Sequence, residues 1–174
     1  MTIFLTQNGI RLDGMKANLQ FSLITILSLF ICGCRMETVK QDPTRAVSDT
    51  NQFLKALYFD KNFDEAFRLA APTLQTSATP VDLENMVKEA EERAGAIKSL
   101  KAESYRMTPG KSMELFYVGT CEKGSLYHRL VLEGDASGYK VSGVWFQPEP
   151  YPDDVLRRKF REDLFVKRDL HPAQ

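Results

Sequence analysis

"MELFYVGTCEKGSLYHRLVLEGDASGYKVSGVWF", residues 113–146, is the stretch that decides the fold. In its first part Met113, Leu115, Tyr117, Gly119 and Cys121 alternate with Glu114, Phe116, Val118 and Thr120. Side chains of a strand point to opposite faces in turn, and here both faces carry apolar groups, so this strand belongs in the middle of a sheet. Lys123-Gly124 turns the chain into "SLYHRLVLEG", where Leu126, His128, Leu130 and Leu132 share one face. "DASG" turns it again into "YKVSGVWF", and Pro148, Pro150 and Pro152 end the run. Residues 97–107 read as one more strand ahead of it. Four strands joined by short turns predict an antiparallel meander.

Upstream the period changes from two to that of a helix. Helical spacing begins near Ala46 and continues through Phe53, Leu54 and Leu57. In "YFDKNFDEAFRLAAP", Asn62 followed by Glu65 forms an N-cap and capping-box pattern for a short helix that Pro72 ends. Thr79-Pro80 opens a third helix, whose apolar positions Leu83, Met86, Val87 and Ala90 run on to Gly95. The fold class is therefore α+β: three N-terminal helices packed on a curved four-stranded antiparallel sheet. "DDVLRRKFREDLF", residues 153–165, reads as a C-terminal amphipathic helix with Asp153 and Asp154 in its first turn. Val155, Leu156, Phe160 and Leu164 fall on one side of it. Arg157, Arg158, Lys159 and Arg161 among them are expected to form a solvated face covering the sheet edge, or to contact an anionic envelope surface or an acidic partner.

Near the front, Phe21 to Ile31 is apolar but shorter than the roughly 20 residues a membrane-spanning helix needs. Its length suits a signal-peptide core, with Met15 and Lys16 before it. Ile31-Cys32-Gly33-Cys34 resembles the lipobox of a bacterial lipoprotein signal. Gly33 fits its small residue and Cys34 its acylated cysteine, whereas Cys32 follows the bulky Ile31 and leaves with the signal. The expected organisation is a signal peptide over 1–33, a lipidated tether over 34–43, a domain over 44–150, and a helix and tail over 151–174. Residues 1–14 fit neither a signal nor a domain, so Met15 is the expected start, with a long amino-terminal region as the alternative. Arg35, where an aspartate would resemble an inner-membrane retention signal, implies the periplasmic face of the outer membrane if the host is Gram-negative.

From Cys34 onward about 140 residues remain, enough for one domain with a core. The whole chain has 23 basic and 23 acidic residues, and the mature part carries one acid in excess, so no global field argues for nucleic acid. With Cys34 acylated and Cys32 removed, Cys121 has no intramolecular disulfide partner, and a buried, inert thiol is expected.

"ALYFDKNFDEAFRLAAP" resembles the helix pair that opens many cone-shaped domains of the nuclear-transport-factor-2-like superfamily, and "EGDASGYKVSGVWFQP" resembles their final hairpin. The resemblance covers roughly residues 44–150. It implies a cystatin-like cone, sometimes a cavity inside it, and often a dimer through the open face of the sheet. It does not choose among enzymes, binding modules and assembly domains. Tyr58, Tyr105, Tyr117, His128 and Trp145 could line such a cavity; the plainer reading of the same five is ordinary aromatic core, with Trp145 packed on the helices.

No catalytic constellation, metal site or cofactor is expected. His128 sits mid-strand among apolar neighbours, and neither His-x-x-x-His nor Cys-x-x-Cys occurs. "DKNFDE" (60–65) has Asp60, Asn62 and Asp64 at alternate positions, but Glu65 and Ala71 stand where a calcium loop needs glycine and a bidentate glutamate. "TPGKS" (108–112) lacks the first glycine of a phosphate-binding loop, Tyr105 standing in its place, and reads as a hairpin turn. No Gly-x-Ser-x-Gly elbow is present. The function expected is a lipid-anchored envelope protein with a non-catalytic binding or assembly domain. Its expected partners are the membrane, through Cys34, and a second copy or another envelope protein. The alternative is a small cone-fold enzyme acting on an apolar metabolite.

Overall fold

The computed structural model describes residues 40–108, 112–161 and 169–172. The signal segment, Cys34 and the tether up to residue 39 lie outside the described residues, as do residues 109–111, 162–168 and 173–174.

Helix α1 spans Pro43–Leu54. Asp42 caps it, its Oδ1 accepting from the N–H groups of Thr44 and Arg45 at 2.9 and 3.2 Å, and Pro43 fits the first turn because a helix leaves that N–H unused. The helix continues into a π-helical turn, Lys55–Phe59, in which the N–H of Asp60 donates to the carbonyl of Lys55 at 2.9 Å. The widened turn lets three consecutive residues, Ala56, Leu57 and Tyr58, all be buried. Helix α2 is Phe63–Leu69, and the Asn62 side chain accepts from the Glu65 N–H as the sequence predicts. The Glu65 carboxylate pairs with Arg68 instead of returning to the cap.

One helix more than the three expected, α3, spans Pro72–Ser77, so Pro72 begins a helix, α2 having already ended at Leu69. The extended pair Ala70-Ala71 between α2 and α3 is fastened to the sheet, the Ala71 N–H donating to the Val141 carbonyl at 2.8 Å. Helix α4, Pro80–Ala94, opens with a complete capping box between Thr79 and Asp82 and ends at Gly95, whose φ of +75° suits a residue without a Cβ.

The strands are β1 Ile97–Thr108, β2 Ser112–Cys121, β3 Gly124–Asp135 and β4 Gly138–Gln147, an antiparallel meander with β2 inside it. Two short strands, β5 Arg157–Lys159 and β6 Asp169–Leu170, both pair with the free edge of β1. The sheet thus has six strands where four were expected. The α+β class and the order of helices before an antiparallel sheet stand.

The expected C-terminal helix is corrected: Asp153–Arg161 is extended and turn-like, with β5 at its centre. The reason is tertiary. The edge of β1 offers unpaired backbone groups, and satisfying them outweighs the modest helical propensity of a short charged segment. The N–H of Phe160 donates to the Glu103 carbonyl at 3.0 Å, and the Phe160 ring lies against Tyr105 with centroids 4.9 Å apart.

One face of the sheet packs on the helices. Leu100 and Ala102 of β1, Leu115 and Tyr117 of β2, and Leu126 and Leu130 of β3 meet Val47, Phe53, Leu54, Leu57, Val87 and Ala90 there. No helix among the described residues is long and apolar enough to cross a membrane.

Candidate functional site

Three of the five expected pocket residues converge between the helices and the sheet. Tyr117 on β2 and His128 on β3 are cross-strand partners, and Tyr58 of the π-helical turn meets the His128 ring edge-on with centroids 5.3 Å apart. All three are buried. The Tyr117 hydroxyl reaches Asn51 Oδ1 at 3.0 Å. Gly119 makes room for the imidazole: a Cβ there would stand 3.2 Å from His128 Cε1.

Among the described residues, the buried side-chain polar atoms without a hydrogen bond of good geometry are both His128 ring nitrogens, the Tyr58 hydroxyl and the Thr50 hydroxyl. Burial pushes the His128 pKa down to about 4, the nearby Leu126 backbone offsetting part of the effect, so the ring is neutral at pH 7. Burial also drives the Tyr58 and Tyr117 hydroxyls up and raises the Cys121 thiol. Cys121 is a buried free cysteine, as expected.

An acid–base site would need a carboxylate beside His128. Among the described residues the buried carboxylate is Glu114, and its register on β2 puts it on the opposite face of the sheet. Among them, too, no cluster of three His, Cys, Asp or Glu side chains could hold a metal.

The other two residues lie elsewhere. Tyr105 faces the same layer but sits at the β1 edge against Phe160. Trp145 is on the outer face and 50 % exposed, which corrects the expectation that it packs on the helices. The cause is a β-bulge: Leu132 pairs with Val141 but Val131 pairs with Gly143, so the side-chain alternation of β4 inverts after Val141. Val144 and Phe146 therefore pack against the core, and the Trp145 ring lies back over Gly143, where a Cβ would come within 2.3 Å of it. Trp145→Ala is accordingly expected to cost about 1 kcal/mol or less, since an exposed ring that stacks on one arginine contributes little. Chemical denaturation checks this; a loss several times larger would mean the ring is buried in solution.

The outer face carries a charged array that periodicity alone does not reveal. The Glu114 carboxylate accepts two hydrogen bonds from Arg106 Nη2, both at 2.7 Å, and one from Arg129 Nε at 2.8 Å. Arg129 in turn lies over the Trp145 ring, 5.3 Å from its centroid. Burial alone would raise the Glu114 pKa, but the two arginines outweigh it and hold the carboxyl below the ordinary glutamate value.

Beside this array Arg157 stacks on Phe116 at 4.3 Å and donates to Ser104 Oγ, to Glu103 and to the Tyr151 carbonyl. Its side chain is 7 % exposed. Expected as one of a helix's surface charges, Arg157 instead fastens the chain after Pro150 across the sheet. The signal was indirect: Phe116, facing away from the helices, needed a cover.

A cleft of about 470 Å³ opens at one end of the sheet, between α1, the start of α3 and the β3–β4 hairpin. Its lining includes Arg45, Asp49, Leu69, Glu133, Tyr139 and Lys140. Asp49 Oδ2 accepts from Arg45 Nε at 3.0 Å and from the Tyr139 N–H at 2.9 Å, locking α1 to the hairpin. Nothing in the sequence reading pointed to this cleft, because its walls come from three segments distant in sequence. Comparison with known protein families, curated proteins and solved structures finds no match for the chain.

Proposed function

We propose that this chain is a lipid-anchored cell-envelope protein whose folded part, a cone-like domain of nuclear-transport-factor-2-like layout, binds or assembles without catalysing a reaction. The observation that carries the reading of the domain is its filled interior. The layer between helices and sheet, where an enzyme of this layout would hold an apolar substrate, is occupied by Tyr58, Tyr117 and His128, all buried. His128 there faces aromatic rings, those of Tyr58 and Phe146, in place of a carboxylate.

The anchor is read from Ile31-Cys32-Gly33-Cys34, and Arg35 after it supports the periplasmic face of the outer membrane if the host is Gram-negative. A protein partner, whether a second copy or another envelope protein, would meet the strip of outer face around Trp145. The part over Phe116 is already taken by Tyr151 and Arg157.

Replacing Cys34 by serine is expected to move the protein from the membrane to the soluble fraction and to abolish fatty-acid labelling. Stable anchoring generally takes more than one acyl chain, which an acylated lipoprotein cysteine supplies. Labelling that survives in Cys34→Ser and disappears in Cys32→Ser would assign the anchor to the other cysteine. Labelling in neither wild type nor variant would remove the lipoprotein reading altogether.

A further inference from the structure

The end of the sheet that carries the β3–β4 hairpin is also where the chain from Cys34 arrives. The Ala136 N–H at the hairpin tip donates to the Lys40 carbonyl at 2.9 Å, and the Asp42 N–H donates to the Tyr139 hydroxyl at 2.7 Å. Lys40 is six residues beyond Cys34, so the connection spans about 20 Å even when fully extended. Strand β3 is 12 residues long, about 40 Å, and the Glu122-Lys123 turn lies at its far end. An anchor on Cys34 therefore holds the hairpin end within reach of lipid head groups and disfavours the opposite end.

A second, independent feature lies at the same end. Arg157 pairs with Arg106 and Lys159 with Ser104, so the chain running back from Arg157 puts Val155 and Leu156 beside the Thr108 end of β1. The β1–β2 connection and the β3–β4 hairpin are at that end too, because Met113 pairs with both Met107 and Leu132. Val155 is 99 % and Leu156 57 % exposed, two adjacent aliphatic side chains in a turn.

Charges of both signs meet at this end. Glu133 is engaged by Thr73, Asp135 by Ser137, Asp49 by Arg45 and the Tyr139 N–H, and Asp154 by Arg106 and the Leu156 N–H. Lys140 stands opposite Glu133 in the β3–β4 ladder, Arg45 is paired with Asp49, and Asp153 and Asp154 precede the aliphatic pair in the chain, so the contact this end can offer a membrane is carried by Val155 and Leu156.

We propose that this end of the sheet rests on the phospholipid surface that holds the Cys34 acyl chains, Val155 and Leu156 entering the head-group region. The proposal rests on the reading of Cys34 as acylated. Two adjacent exposed aliphatic side chains in a turn have the chemistry of an interfacial contact. The short tether makes that contact effectively intramolecular, so weak individual contributions suffice.

The test uses the full-length protein, purified from membranes and reconstituted in phosphatidylethanolamine–phosphatidylglycerol vesicles. A fluorescent label is placed at Val155→Cys, Ser137→Cys or Lys123→Cys in a Cys121→Ala background. Head-group nitroxide lipids are expected to quench positions 155 and 137 about threefold more than position 123, since interfacial insertion is only about 5–10 Å deep. Equal quenching at all three positions, stronger quenching at 123, or none at any position overturns the proposal. Mass analysis of the N-terminal peptide separates the two layers of the argument. An acylated protein quenched at the wrong end defeats only this orientation, whereas an unacylated one defeats the anchor and the orientation with it.

Discussion

His128→Leu is expected to make the protein more stable at neutral pH and to remove the loss of stability that the buried imidazole causes between pH 6.5 and about 4. Both imidazole nitrogens are buried without a hydrogen bond of good geometry, the Leu126 backbone giving a partial contact, and an unsatisfied buried polar group costs about 1–3 kcal/mol. Leucine is of similar size and asks for no hydrogen bond, so a gain of about 1–2 kcal/mol at pH 7 is expected.

The pH dependence follows from the same burial. An unfolded histidine titrates near 6.5 and this one near 4, so between those values the unfolded chain binds the proton and the folded one resists it. Stability is therefore full above pH 6.5 and falls as the pH drops toward 4, by about 3 kcal/mol in all. Denaturant midpoints of wild type and variant at pH 7 and pH 4.5 check both parts. Parallel losses in the two proteins would show that His128 is not a buried neutral imidazole. A gain in stability coupled to loss of a binding activity would mean that the histidine is kept for function at a cost to stability.

The meander was legible because its signals are local. Alternation over 113–121 and the Lys123-Gly124 and "DASG" turns need no knowledge of the rest of the chain. The Asn62 cap, the Thr79-Pro80 start and the Gly95 stop were legible for the same reason, since each cap is satisfied within a few residues. What was misplaced depended on distant partners. The bulge that turns Trp145 outward is a property of β4 against β3, and "YKVSGVWF" read alone alternates only as far as Gly143 and then runs apolar through Val144, Trp145 and Phe146, which does not say which face Trp145 takes.

The segment 153–161 has a helical spacing of apolar residues, yet its conformation is set by the open edge of β1. The π-helical turn falls in the same group, since it serves to bring Tyr58 against His128. Of the expected pocket, the residue types were right for an interior at Tyr58, Tyr117 and His128. The cleft beside the hairpin left no trace, because no single segment builds it.

Glu114→Ala is expected to destabilise the domain by about 2–3 kcal/mol, with the loss reduced in high salt. Removing one partner of a fully buried ion pair typically costs about 3–5 kcal/mol, because the other charge is left buried and unpaired. Glu114 is buried, but Arg106 and Arg129 are each partly exposed, so water screens some of the penalty and the lower figure applies. The damage should also spread. Without the carboxylate two guanidiniums face each other, Arg106 keeps only Asp154, and the seat of Arg129 on Trp145 loses its fixed side.

Two further readings separate this role from simple loss of volume. Glu114→Gln keeps the shape and one acceptor oxygen, so it should recover part of the loss, whereas a packing defect alone would be cured fully. Because the arginines lower the Glu114 pKa, its contribution is present above the ordinary glutamate range and disappears as the pH falls through the depressed value. The alanine variant should lack that acid step while keeping the one from His128. Raising salt to 1 M shortens the screening length to about 3 Å and should narrow the gap between wild type and variant. A gap that is absent at low salt, or unmoved by salt, would mean that Glu114 does not hold the two arginines in solution.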